Sequence, residues 1–313
     1  MTLFRSLLAV LVVWLVTTQL GCSSGSPSPT ASKPLSSDSD RLAEAQQIAA
    51  GLREIEQKNY DAAIELLEPL VDEGTDVAIA YRALRIAKIE QLLAGRDDSE
   101  SARMVAEDAT MSIIAKGRKV LPKDMSLLLD DIQFHAERDL WDVTEARIFE
   151  AIALDPSESK LYVMLATNHE DIANFQLESG NRQAFEEEMA DAIKAYETAV
   201  DLDPDETIAR YNLGVLAMSR ANAAAVKRNA IPLSEFRAKA DELKRYETIE
   251  RDELKTALSY FIEVEKRTPN DSTVIMALTS VHVRLDSPEL AEEFEDRFGK
   301  VLSGKQVESY YAQ

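Results

Sequence analysis

The stretch AIKAYETAVDLDP, residues 192–204, decides how the chain is read. Ala192 is followed four residues on by Tyr196, three further by Ala199, and five after that by Pro204. Small, bulky and small residues at this spacing share one face of an α-helix. Proline, with no N–H to give, marks the place where that helix ends. The same string returns as Ala257, Phe261, Val264 and Pro269, as Thr144, Ile148, Ala151 and Pro156, and as Thr110, Ile114, Gly117 and Pro122. It also returns as Ala63, Leu67 and Leu70 with Thr75 in the proline place. A last copy has Ala291 and Phe298, with Glu295 interrupting it. Nine residues beyond each terminal position stand Leu84, Leu165, Leu213 and Leu278, and Asp131 breaks that series.

From Arg41 onward Ala, Leu, Glu, Lys and Arg dominate, apolar residues recur at three and four, and no segment alternates as a strand does. The recurring residues resemble the tetratricopeptide repeat, a 34-residue helix–turn–helix in which small and large side chains let antiparallel helices pack closely. The resemblance covers residues 44–303 in six helix pairs. It implies an all-α fold, a TPR-like α-solenoid over residues 41–306, with 307–313 as a C-terminal tail. Pro122 and Pro156 stand one repeat apart, whereas Thr75 to Pro122, Pro156 to Pro204 and Pro204 to Pro269 exceed 34 residues by 13, 14 and 31. The excess falls between the first and second helix of each unit, with turns at 95–100, 179–181 and 229–234. The second, fourth and fifth hairpins are therefore expected to be elongated. In the fifth, Ala217, Ala221, Ala224 and Ala225 offer a small face, and Ile231-Pro232-Leu233-Ser234 turns the chain with Ser234 as N-cap. The returning helix is expected to carry Leu233, Phe236, Ala240 and Leu243. The polar run 244–253 reads either as solvated surface or as part of a docking arm.

The N-terminus reads as an address. Leu7–Val16 is an apolar run behind Arg5, too short for the roughly 20 residues that span a bilayer, so residues 1–21 read as a signal peptide. Gln19-Leu20-Gly21-Cys22 resembles the bacterial lipobox, differing at Gln19, where that motif has Leu. The resemblance implies lipidation of Cys22 (a palmitate-bearing anchor) and two or three acyl chains, enough for stable attachment. A thiolate is the nucleophile this chemistry needs. Ser23 resembles the outer-membrane sorting choice, so the expected location is the periplasmic face of the outer membrane. Residues 22–40, SSGSPSPTASKPLSSDSD after the cysteine, are too poor in apolar side chains to order themselves and read as a tether of roughly 20–25 Å.

Composition narrows the function. The 313 residues carry 35 Lys and Arg against 56 Asp and Glu, a net charge of −21, which argues against nucleic acid as a partner. Cys22 is the only cysteine, so no intramolecular disulfide forms. His135, His169 and His282 each lie 13 residues after a proline of the repeat, so they occupy one packing position in successive units rather than one metal site. His169-Glu170 does not open a metalloprotease pair, because residue 173 is Ala. Asp201, Asp203 and Asp205 lack the Gly and Glu that a calcium loop needs further on. Trp141 and Tyr60 share a packing position near a turn. No phosphate loop or nucleophile elbow is present, so neither a cofactor nor a catalytic role is implied.

In the TPR family the first helices line a groove that binds peptides or helices. On that resemblance the groove residues are Arg82 and Ile86, then Lys160, Met164 and Thr167, then Tyr211, Asn212 and Val215, with Asn212 placed where some members bond a ligand's backbone or terminal carboxylate. The reading that follows is a membrane lipoprotein that serves as an interaction scaffold or adaptor for an envelope protein or peptide, with homo-oligomerisation open. Two other readings are a ligand-binding lipoprotein beside a solute transporter, whose long hairpins would enclose an apolar pocket, and a cell-wall hydrolase, which would need His, Asp or Glu from different repeats to meet.

Overall fold

The computed structural model describes residues 37–94 and 100–312; Cys22, the expected signal peptide, the expected tether up to residue 36 and the expected turn at 95–99 lie outside them. Among the described residues all regular structure is helical. The order is α1 (Asp38–Glu56), α2 (Tyr60–Glu73), α3 (Ala78–Ala94), α4 (Glu100–Val120), α5 (Met125–Ala136), α6 (Trp141–Leu154), α7 (Ser159–Glu178), α8 (Arg182–Leu202), α9 (Thr207–Asn229), a 3-10 turn (Leu233–Glu235), α10 (Ala240–Glu265), α11 (Ser272–Arg284) and α12 (Pro288–Leu302). The chain divides into two compact units, 1–147 and 148–313. No described helix is long and apolar enough to cross a membrane.

The repeat residues form the packing. The bulky position is buried in five copies, at Leu67, Ile114, Ile148, Tyr196 and Phe261, as is the small position one turn before it, at Ala63, Thr110, Thr144, Ala192 and Ala257. Gly214 shows how tight the approach is: a Cβ built there would fall 2.6 Å from Cε1 of Phe261. Gly51 meets Leu67 in the same way, at 2.7 Å. Burying the large apolar side chains Leu67, Ile114, Ile148 and Phe261 contributes roughly 1.5–3 kcal/mol each. The core of the first unit gathers Ile48, Leu67, Val71, Tyr81, Leu84, Ile113 and Leu127. That of the second gathers Leu254, Phe261, Val274, Leu278, Val281 and Phe294.

Pro122, Pro156, Pro204 and Pro269 each follow a helix end, and two residues beyond each an acid caps the next helix. Asp124 accepts from the Leu127 N–H (3.0 Å), Glu206 from Ile208 (3.1 Å) and Asp271 from Thr273 (2.8 Å), and Glu158 caps α7 likewise. A carboxylate there satisfies free N–H groups and faces the positive end of the helix dipole, so part of the chain's acidity has a structural use.

The expected elongation is present: α3/α4, α7/α8 and α9/α10 have 17 and 21, 20 and 21, and 23 and 26 residues. The turn between α7 and α8 is 179–181, as expected. Other expectations need correction. The first helix begins at Asp38 rather than after residue 40, because Ser37 and Asp40 form a capping box. Past Pro69, which lies inside α2 and has no N–H to donate, the buried residue is Val71 rather than Leu70. In α12 Phe294, three residues after Ala291, fills the bulky place that Glu295 interrupts in sequence. Ser234 lies within the 3-10 turn, not at a helix N-cap, and α10 starts only at Ala240.

The C-terminal segment packs against the core of the second unit through Val307 and Tyr311. Gly304, at φ 79°, reverses the chain after α12, and the following residues lie back on the last helices. The Asn270 side chain brackets the Val307 peptide, accepting from its N–H at 2.7 Å and donating to its carbonyl at 3.2 Å. Glu265, fully buried, accepts from Arg297 Nη2 (3.0 Å), Ser309 Oγ (2.5 Å) and the Tyr310 N–H (2.7 Å). Tyr311 stacks on Phe294 with ring centroids 5.7 Å apart, and its hydroxyl lies 2.7 Å from His282 Nε2. The segment covers apolar surface that the last hairpin of an array would otherwise leave open. Tyr311→Ala is expected to destabilise the second unit by about 2 kcal/mol in urea unfolding; an unchanged midpoint would show that the segment carries no stability.

Candidate functional site

Besides the Glu265–Arg297 pair, two polar clusters interrupt the apolar packing, one in each unit. In the first, α5 places Asp130 and Asp131 side by side, 2% and 6% exposed. Asp130 takes Arg82 Nε at 3.0 Å and Arg85 Nη2 at 3.1 Å, both from α3. Asp131 takes Arg147 Nε at 2.8 Å, Arg118 Nε at 3.5 Å and His135 Nδ1 at 3.2 Å. Two buried carboxylates thus tie four helices together, α3, α4, α5 and α6. Removing one partner of such a cluster leaves an uncompensated charge, which typically costs 3–5 kcal/mol. Asp131 stands in the leucine place of the repeat, and that break was the only sequence sign of the cluster.

In the second unit the centre is Tyr196 of α8, fully buried. Its hydroxyl donates to Glu170 Oε2 at 2.5 Å and accepts from Asn212 Nδ2 at 2.7 Å, with Thr167 Oγ1 at 3.3 Å. Three helices therefore share one hydroxyl. Burial raises the Glu170 carboxyl to about 7, with the Asp171 charge adding and the Tyr196 hydrogen bond opposing. Burial and the Glu170 charge push the Tyr196 hydroxyl well above 10. Beside them His169 Nδ1 meets Glu188 Oε2 at 2.8 Å.

The groove residues named by resemblance are distributed as follows. Arg82 is held by Asp130, and Ile86 on the same helix is 41% exposed. Lys160 is half-buried and Met164 is 5% exposed. The Thr167 hydroxyl donates to the Val163 carbonyl at 3.0 Å. Tyr211 packs on Phe261 with centroids 5.6 Å apart. Asn212 directs its amide to Tyr196, and Val215 packs against the core. The structure brings together only Thr167 and Asn212, through Tyr196. It adds Glu170, Asp130, Asp131, Arg85, Arg118 and Arg147 to the chemistry-bearing set.

The three histidines each have a local partner: His135 the Asp131 carbonyl (2.8 Å), His169 Glu188, and His282 Tyr311. Among the described residues no three His, Cys, Asp or Glu side chains are placed to hold a metal ion. Trp141 and Tyr60 each open the second helix of a hairpin, both half-buried. An open depression of about 460 Å³ at the α1–α2 turn is lined by Lys58, Asn59, Tyr60, Asp61 and Gln91.

The Glu170 carboxyl gives a pH signature. The folded state keeps its proton to about pH 7, whereas in the unfolded chain the proton leaves near 4.5. The folded state therefore binds more protons across that window, and stability falls as pH rises through it, by about 3 kcal/mol. Thermal unfolding of wild type and Glu170→Gln across this range checks it: the variant is expected to lose this fall, and parallel curves would contradict the assignment.

No known protein family matches the sequence, and no curated protein does. Among solved structures the chain is similar to Pseudomonas aeruginosa PilF at 13% identity, over 86% of this chain and 96% of that one, with a TM-score of 0.49. It is similar to YrrB, described as a TPR protein with an unusual peptide-binding site, at 14% identity over 76% and 92%, TM-score 0.40. It is similar to MamA from RS-1 at 16% identity over 67% and 95%, TM-score 0.39.

Proposed function

We propose that the chain is a membrane-anchored lipoprotein whose TPR-like hairpins hold another envelope protein, acting as a non-enzymatic scaffold on the periplasmic face of the outer membrane. The observation that carries the binding half of this reading is the outward face of α11. Met276 and Val283, two turns apart on that face, are 56% and 62% exposed, while Val274, Ile275, Leu278 and Val281 on its other side are buried. A first helix that presents large apolar side chains to solvent offers contact area to a partner. On α3 of the first unit, Ile79 and Ile86 are exposed in the same two-turn spacing. The anchoring half rests on the lipobox-like Gln19-Leu20-Gly21-Cys22 and the tether behind it.

The polar clusters support a holding role over a catalytic one. The Glu170, Tyr196 and Asn212 groups bond one another, and the buried aspartates face arginines, so these groups stabilise the scaffold.

A photo-crosslinking residue at Met276 or Ile86, expressed in cells, tests the binding half. Both positions are expected to give an adduct with one envelope protein, and the exposed position Glu292 on α12 none. No adduct at either position, together with a small molecule co-purifying with the protein, would contradict it. The mass of the N-terminal peptide tests the anchor: an acylated Cys22 at the new terminus is expected, and a free thiol there would refute it.

A further inference from the structure

The tip of the longest hairpin inverts the chemistry of the rest of the chain. Residues 226–245, the end of α9, the turn and the start of α10, carry six Lys and Arg against three Asp and Glu in a chain whose net charge is −21. The same tip exposes its large apolar side chains. Leu233 is 83% exposed, more than any other large apolar residue described, with Val226 at 68% and Phe236 at 41%. Leu233 and Phe236 lie at the turn itself, behind Pro232.

The tip is well formed. Ile231 is buried beneath it, and its backbone is closed by hydrogen bonds from the Ile231 N–H to the Arg228 carbonyl, the Glu235 N–H to Pro232 and the Lys239 N–H to Glu235. Of the six cations, Lys239 pairs with Glu235 at 2.8 Å and Arg228 with Glu250 at 2.7 Å. Lys227, Arg237 and Lys244 are exposed and make no ion pair among the described residues.

We infer that this tip docks on an anionic phospholipid surface, with Leu233 and Phe236 entering the headgroup region and Lys227, Arg237 and Lys244 meeting lipid phosphates. Apolar side chains at a point flanked by free cations match the two components of interfacial binding, apolar burial and attraction to anionic lipid. A protein partner fits less well. A specific protein interface clears about 1,000 Å² with shape complementarity, whereas three apolar residues at a hairpin end present a point rather than a face. A lipid surface needs no complementary shape. The acidic remainder of the chain is repelled by the same surface, so contact is confined to the tip. The inference is independent of Cys22, since it concerns a second contact made by the folded domain.

Hydrogen exchange of the full chain, resolved by segment, tests it with two vesicle types: equal parts phosphatidylglycerol and phosphatidylcholine, and phosphatidylcholine alone. Protection is expected at 226–245 on the anionic vesicles only. Lys227→Glu with Arg237→Glu is expected to weaken vesicle binding of this segment by a factor of roughly 25 or more, taking about fivefold per cation. Leu233→Asp with Phe236→Asp is expected to abolish its protection. Unchanged exchange in α11 and α12 shows that each variant is folded. Vesicle binding that leaves 226–245 unprotected would overturn the inference and assign the contact to the N-terminus. Equal protection on neutral vesicles would overturn the role of charge. Protection by poly-glutamate but by neither vesicle would assign the tip to an acidic protein and overturn it too.

Discussion

The contact between Gly214 and the ring of Phe261 sets the distance between the two helices of the longest hairpin, and the rest of the second unit is arranged around it. A side chain as small as a methyl at Gly214 would fall 2.6 Å from the ring, so the ring of Phe261 lies directly against the backbone of α9. Tyr211 then packs on the same ring from the preceding turn, and Ala217, Ala221 and Ala224 continue the close face toward the tip. Gly51 against Leu67 repeats the device in the first unit. Because a small residue must face a bulky one at fixed spacing, the register of each hairpin is determined, and length can be added only beyond the contact. That is where the second, fourth and fifth hairpins carry their extra turns.

This constraint explains what could be read in the sequence. Spacings of four, three and five are local, so a single helix face shows them, and the helix pairs and their long members followed from them. What escaped notice depends on partners far along the chain. Glu265 is matched by Ser309 and Tyr310, more than forty residues on, and no local pattern announces such a pairing. Asp130 and Asp131 are held by arginines from three other helices, and only the missing leucine hinted at them. The last hairpin broke the spacing because Phe294 reaches the bulky place three residues on, where the C-terminal segment also packs. The proline–x–acid caps, by contrast, were present in plain view at Pro122, Pro156, Pro204 and Pro269.

Of the groove residues, the sequence placed Thr167 and Asn212 on first helices but could not show that both turn toward Tyr196. Inward and outward positions on an inner helix differ by one residue, and a single polar side chain reads the same in either. The apolar residues that do face outward, Met276 and Val283, carry no mark of that exposure in their residue type. The charge balance was also misleading as a single number. Acids gather at helix starts, where they cap, and the cations exceed them at the tip of the fifth hairpin.

The small-against-bulky contact is the central claim, and a double-mutant cycle tests it directly. Gly214→Ala alone is expected to destabilise the protein by about 1–3 kcal/mol, because the ring of Phe261 must move. In a Phe261→Leu background the same change is expected to cost far less, giving a coupling of about 1 kcal/mol or more between the two sites. Additive effects, with Ala at 214 costing the same beside Leu as beside Phe, would show that the helices are not held at this contact.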